Sequence, residues 1–136
     1  MKPRHSTLEL NELRDVRGCL SFAQEGDQIP FSMRPVFMLY DIPAGTHHGG
    51  HAHRDQHQLL LMMSGARTVF IYNGEDTSKV DLDRPNRRLH APPMLWPELR
   101  DFTGVAVCAV LASGLFDEAD YIRDYAEFRQ LALAKS

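Results

Sequence analysis

Two histidines, His51 and His53, stand two positions apart between Gly45 upstream and Gln58 and Gly65 downstream. In an extended chain, residues two apart project to the same face. The pair therefore shares one side of a strand, and in a barrel that side can be the interior. Two imidazoles in one cavity suit two tasks: holding a metal ion, or moving protons near neutral pH.

The surrounding sequence reads as a series of short strands. Asp15-Val16-Arg17-Gly18 is a turn leading to a strand from Cys19 to Ala23, and Gln24 to Asp27 is another turn. Val36 to Tyr40 is strand-like and stops at Pro43-Ala44-Gly45. Leu59 to Met63 is an apolar strand turned by Ser64-Gly65, and Ala66 to Tyr72 is the next, ending at the hairpin signal Asn73-Gly74. Val80 and Leu82 alternate with polar residues, Asp83 to Arg88 is a polar loop, and Leu89 to Ala91 is a short strand before Pro92-Pro93. Val105 to Ala112 is a buried strand containing Cys108. Only the tail changes period: Tyr121, Ile122, Tyr125, Phe128, Leu131 and Leu133 recur at near-helical spacing. This predicts a helix over 117–134, with Asp117, Glu118 and Asp120 favouring its dipole. The expectation is an all-β domain spanning 1–136, a barrel or sandwich with a C-terminal helix.

Composition narrows the partners. At 136 residues the chain suits one core, and a net charge of -3 carries neither a nucleic-acid footprint nor a polybasic membrane anchor. No apolar run is long enough to span a membrane, and Met1 to Glu12 lacks the apolar region of a secretory signal. Two cysteines make no disulfide framework, which predicts a cytoplasmic protein.

The spacing of Gly45, His51-x-His53, Gln58 and Gly65 resembles the first motif of a cupin barrel, with Gln58 where Glu is usual. The second motif of metal-binding cupins runs Pro, Gly, then His; here the matching stretch is Ala91-Pro92-Pro93-Met94-Leu95-Trp96, with Trp96 about where the His belongs. A metal site of His51, His53 and His57 stays conceivable. The alternative is metal-free proton transfer next to a ketone, with Gln58 or the second histidine fixing the tautomer and Trp96 supplying a flat apolar wall.

Further segments carry a closer resemblance: Arg17-Gly18-x-Leu20-Ser21, Ile29-Pro30-Phe31, Tyr40-Asp41-Ile42-Pro43, Leu89-x-x-Pro92-Pro93-x-x-Trp96, Val110-Leu111-Ala112-Ser113 and Asp117-Glu118-x-Asp120-Tyr121-Ile122-Arg123-Asp124-Tyr125-x-x-Phe128. With His51-Ala52-His53, these resemble the sugar 3,4-ketoisomerases, the WxcM-like cupins, over nearly the whole chain. The resemblance implies a small cupin (jelly-roll) barrel with a C-terminal helix that forms a homodimer, often with exchanged N-terminal strands, and metal-free catalysis without a cofactor. The implied reaction moves a carbonyl from C4 to C3 of dTDP-4-keto-6-deoxy-glucose through an enediol. By position it makes His51 and His53 the catalytic pair, with His53 the expected base. Arg17, His48, Arg54, Gln58 and Trp96 are the expected substrate contacts.

The chain also departs from that family. His48-Gly49 stands where Arg-Gly usually precedes the His pair. Pro35, Phe37 and Met38 stand where an Arg-x-Tyr-Tyr segment is usual. His57 replaces a Glu, and Pro97 follows Trp96. His supplies part of an arginine's charge but not its bidentate fork, and Phe37 can neither donate nor accept. Three readings stay open: a ketoisomerase with a rewired site, a metal-dependent cupin enzyme, or a nucleotide-sugar-binding module without catalysis.

Overall fold

Two long antiparallel strands organise the molecule. The computed structural model describes residues 3–43, 45 and 47–134. Its strands are β1 Ser6–Glu9, β2 Leu13–Asp15, β3 Gly18–Leu20, β4 Val36–Leu39, β5 His48–Gly49, β6 Ala52–His53, β7 Gln58–Tyr72, β8 Thr77–Leu82, β9 Arg87–Ala91, β10 Trp96–Ala112 and β11 Tyr121–Ile122. A one-turn 3-10 helix covers Glu118–Asp120, and helix α1 covers Tyr125–Ala134. The main sheet runs β1-β9-β7-β10-β4, with β5 added to β10 and β8 to β7.

The first half of β7 pairs with β9 and its second half with β8, while β10 runs beside both halves. The β7/β10 register breaks between Arg100 and Cys108, where bulges add bend and twist. Leu60 and Met62 from one half of β7 and Val69 and Ile71 from the other meet Leu99, Cys108 and Val110 in one core. The sheet therefore curls over a single interior.

Several boundaries differ from the sequence reading. Ser64-Gly65 is not a turn: Gly65 takes a left-handed φ of 73° inside β7 and lets a continuous strand bend. The loop expected over 83–88 ends earlier, because Arg87 and Arg88 belong to β9. Arg88 is buried there, its Nη1 donating to the carbonyl and hydroxyl of Ser6. The strand expected to start at Val105 starts at Trp96. In the stop after Tyr40, Ala44 lies outside the described residues.

The tail differs most. The helix begins at Tyr125, capped by Asp124, whose carboxylate accepts from the Ala126 amide at 2.9 Å. Upstream, Tyr121–Ile122 is extended and pairs with Ala52–His53. Helix α1 then covers Ala52, Met94, Trp96 and Ile122 with Phe128 and Ala132. It sits so close that a methyl group on Gly74 would lie 3.0 Å from the Ala132 Cβ.

The β2–β3 hairpin pairs only with itself and exposes Leu13, Val16 and Leu20. Among the described residues no helix is long and apolar enough to cross a membrane.

Candidate active site

His53 is held at every polar atom of its ring and by its backbone. It is 6% exposed. Its Nδ1 lies 2.8 Å from Asp120 Oδ2, and its Nε2 lies 2.9 Å from Gln58 Nε2. Both contacts are satisfied when Nδ1–H donates to the carboxylate and Nε2 accepts from the amide of Gln58. The other Asp120 oxygen accepts from the Asp55 amide at 2.7 Å. The Met94 amide donates to the His53 carbonyl at 2.8 Å, from a residue in the left-handed region with φ 64°. The Pro92-Pro93-Met94 stretch thus clamps the strand bearing the histidine. Burial lowers the His53 pKa, against the raising effect of the Asp120 bond and charge. The ring is a neutral imidazole with a fixed tautomer.

His51 meets His53 edge-on, the ring centroids 5.2 Å apart at 86°. It forms part of the wall of a cavity of about 210 Å³ with His48, Gln58 and Tyr121, over an apolar floor that includes Phe37 and Leu60. Tyr121 packs against both imidazoles, 4.9 Å from His51 and 4.5 Å from His53. Arg123 lies over the Tyr121 ring at 4.4 Å and pairs with Glu118. A larger hollow of about 460 Å³ lies between His5 and Glu75, but it brings no such hydrogen-bonded imidazole to its wall.

The expected site residues divide clearly. His48, His51 and Gln58 line the cavity, and His53 backs it through Gln58. Trp96 does not form its wall. It is buried against Tyr125 and Phe128, because α1 covers that face of β10. Arg54 pairs with Glu127 on the surface, and Arg17 pairs with Asp15 at the hairpin tip; neither reaches the cavity in this chain. Asp120 and Tyr121, which the structure brings to His53 and the cavity, were not among the expected site residues, because both fell inside the expected helix.

The three-histidine metal set is not assembled. His57 turns to His90, its Nδ1 3.0 Å from His90 Nε2, with the rings stacked at 6°. Among the described residues, no three or more His, Cys, Asp or Glu side chains are placed to share an ion.

The His57–His90 pair makes a pH prediction. Burial lowers both pKa values, and His90 falls to about 4 under burial and the neighbouring His57 and Arg88 charges. A histidine with a depressed folded pKa takes up its proton first in the unfolded chain. Its contribution is complete above pH 6.5 and is lost as pH falls from there toward 4. The full value for His90 would be about 3 kcal/mol, and partial exposure leaves about 1–2 kcal/mol. Denaturant melts from pH 8 to 4 should show a flat region, then this loss. In His90→Gln the loss should shrink; an equally steep loss in that variant would remove His90 as the cause.

A family profile described as FdtA, WxcM-like, C-terminal matches residues 4–133. A TDP-4-oxo-6-deoxy-alpha-D-glucose-3,4-oxoisomerase of Aneurinibacillus thermoaerophilus is 33% identical over 126 residues, 93% of this chain and 91% of its own length. A crystal structure of a 3,4-ketoisomerase from Helicobacter canadensis is similar with a TM-score of 0.91 at 32% identity, covering 95% of this chain and 97% of that one. A point variant of the 3,4-ketoisomerase QdtA from Thermoanaerobacterium thermosaccharolyticum, in complex with TDP-4-keto-6-deoxyglucose, gives 0.92 at 27% identity over 96% and 95%.

Proposed function

Because this chain belongs to the WxcM-like, C-terminal family, we propose that it is an isomerase. It moves the carbonyl of a dTDP-linked 4-keto-6-deoxyhexose from C4 to C3, in deoxysugar biosynthesis. The observation that carries this reading is an imidazole, His51, in the wall of an apolar cavity beside a second imidazole, His53, fixed in orientation by Asp120 and Gln58.

His51 takes the C3 proton and returns it to C4 through an enediol. Two facts support His51 rather than His53 as the base: His51 lines the cavity, whereas both nitrogens of His53 are engaged within the protein. His53 is the positioning partner. A neutral neighbour imposes no repulsion on the imidazolium that forms on His51, and the Asp120 carboxylate behind it favours that charge. The apolar floor excludes water, which strengthens these interactions. His48 and Gln58 contact the substrate. The reaction is metal-free, a reading supported by His57 being turned to His90 instead of to the pair.

The working form is a homodimer. An isolated two-stranded hairpin is marginal in water, and β2–β3 presents Leu13, Val16 and Leu20 uncovered. A second copy is the partner that covers them. Light scattering should give twice the 15.5 kDa chain mass, and Leu13→Asp with Leu20→Asp should halve it; a native mass of one chain would end the dimer reading. The cytoplasm is the compartment, and the free, exposed Cys19 thiol fits it.

Proton NMR of chelator-treated protein with dTDP-4-keto-6-deoxy-glucose in deuterated water tests the reaction. The 3-keto isomer should appear, with deuterium at C4 to the extent that the His51 imidazolium exchanges with solvent before it protonates that carbon. An unchanged substrate with no exchange at C3 would overturn the isomerase reading.

A further inference from the structure

Moving a carbonyl between neighbouring carbons requires two proton transfers at oxygen as well as two at carbon. The oxygen transfers need a group that first donates and then accepts, in reach of two vicinal oxygens. Phenols ahead of Tyr40 are not available, since Pro35, Phe37 and Met38 occupy those positions. Phe37 itself lines the cavity without a hydroxyl.

We propose that Tyr121 is the catalytic acid and base at oxygen. This rests on the isomerase reading above. As His51 removes the proton from C3, the Tyr121 phenol gives its proton to O4, the C3–C4 double bond forms and the C4–O4 double bond opens. The tyrosinate then takes the O3 proton as the His51 imidazolium returns its proton to C4, and the C3–O3 double bond forms. Both side chains end in their starting states, and no oxidant or reductant is consumed.

Four observations support this role. Tyr121 is the one hydroxyl-bearing side chain among the described residues lining the cavity. Its ring lies within 5 Å of both imidazoles, so one sugar can touch His51 and Tyr121 together. Its backbone is paired directly with His53 across β11 and β6, and Phe116 and Arg123 pack against its ring. That placement limits the loss of freedom on substrate binding. Burial raises its pKa, which keeps the phenol protonated until a basic oxygen develops beside it. The remaining tyrosines are elsewhere: Tyr72 and Tyr125 pack at α1, and Tyr40 is exposed.

The test is Tyr121→Phe in the full-length protein, assayed by the same NMR conversion and by dTDP binding. Loss of a general acid–base should lower kcat by about 10²–10⁴, with dTDP affinity within a few-fold of wild type and an unchanged melt. Wild-type-like kcat in the variant, or an effect confined to KM, would overturn the role while leaving the isomerase reading intact. An inert wild-type protein would overturn both. If the variant fails to fold, 3-fluorotyrosine at position 121 keeps the ring and lowers the phenol pKa. The alkaline limb of kcat should then move to lower pH. The charged and titratable groups around the ring, His51, His53, Glu118, Asp120 and Arg123, are unaltered by this change, so an unmoved limb would exclude Tyr121.

Discussion

His51→Gln is expected to lower kcat by about 10²–10⁴, the range assigned to a positioned acid or base, while the protein folds and binds dTDP almost as before. Glutamine fills much of the imidazole volume and keeps hydrogen-bonding capacity, but it has no basic nitrogen to receive the C3 proton. His51 is only partly buried, so its replacement leaves no deep cavity. The result divides the two histidines: the same change at His53 should cost stability as well as rate, because it leaves Asp120 without its buried partner. NMR turnover with a parallel melt checks both. If His51→Gln retained kcat within tenfold, His51 would not be the base, and His53 would return as the candidate with Gln58 moved aside.

Asp120 gives the largest expected change in stability. It is 7% exposed, and its two oxygens hold the His53 ring and the Asp55 amide. Asp120→Ala strands the buried His53 Nδ1–H and the part-buried Asp55 amide and opens the packing, at a cost of about 3–5 kcal/mol by analogy with removing one member of a buried pair. Asp120→Asn separates structure from chemistry. Its carbonyl can still accept from Asp55, but its amide then presents a donor to His53 Nδ1. That favours the tautomer with a proton on Nε2, where the Gln58 amide already donates. The conflict should lower kcat by about 10²-fold, with a smaller stability loss of about 1–3 kcal/mol. Chemical denaturation and turnover of both variants decide it. An active, stable Asp120→Asn protein would remove the carboxylate from any role in fixing the tautomer.

Much of this site was legible because period-two spacing is a strong signal: His51 and His53 had to share a face, and Gln58 stood near enough to hold one of them. The strands were legible for the same reason, as Val80 and Leu82 show by their burial. What was hidden has physical causes. Glycine at position 65 looks like a turn residue whether it ends a strand or bends one. A two-residue strand such as Tyr121–Ile122 is too short to display a period of its own, and it merged with the helical spacing of Tyr125 and Phe128 behind it. Asp120 accordingly looked like a dipole partner for a helix that starts five residues later. Trp96 looked like a ligand-facing wall because sequence cannot say which side of β10 receives the tail.

The pairing of Tyr121–Ile122 with Ala52–His53 also orders events in the life of the molecule. The His53–Asp120 contact spans 67 residues, and Asp120 and Tyr121 follow β10 in the chain and so are synthesised after it. A nascent chain can complete β7 to β10 while its His53 still lacks a carboxylate and its cavity lacks one wall. Assembly of the site therefore waits for Tyr121–Ile122 to emerge, and a nascent chain that has not reached them lacks this arrangement.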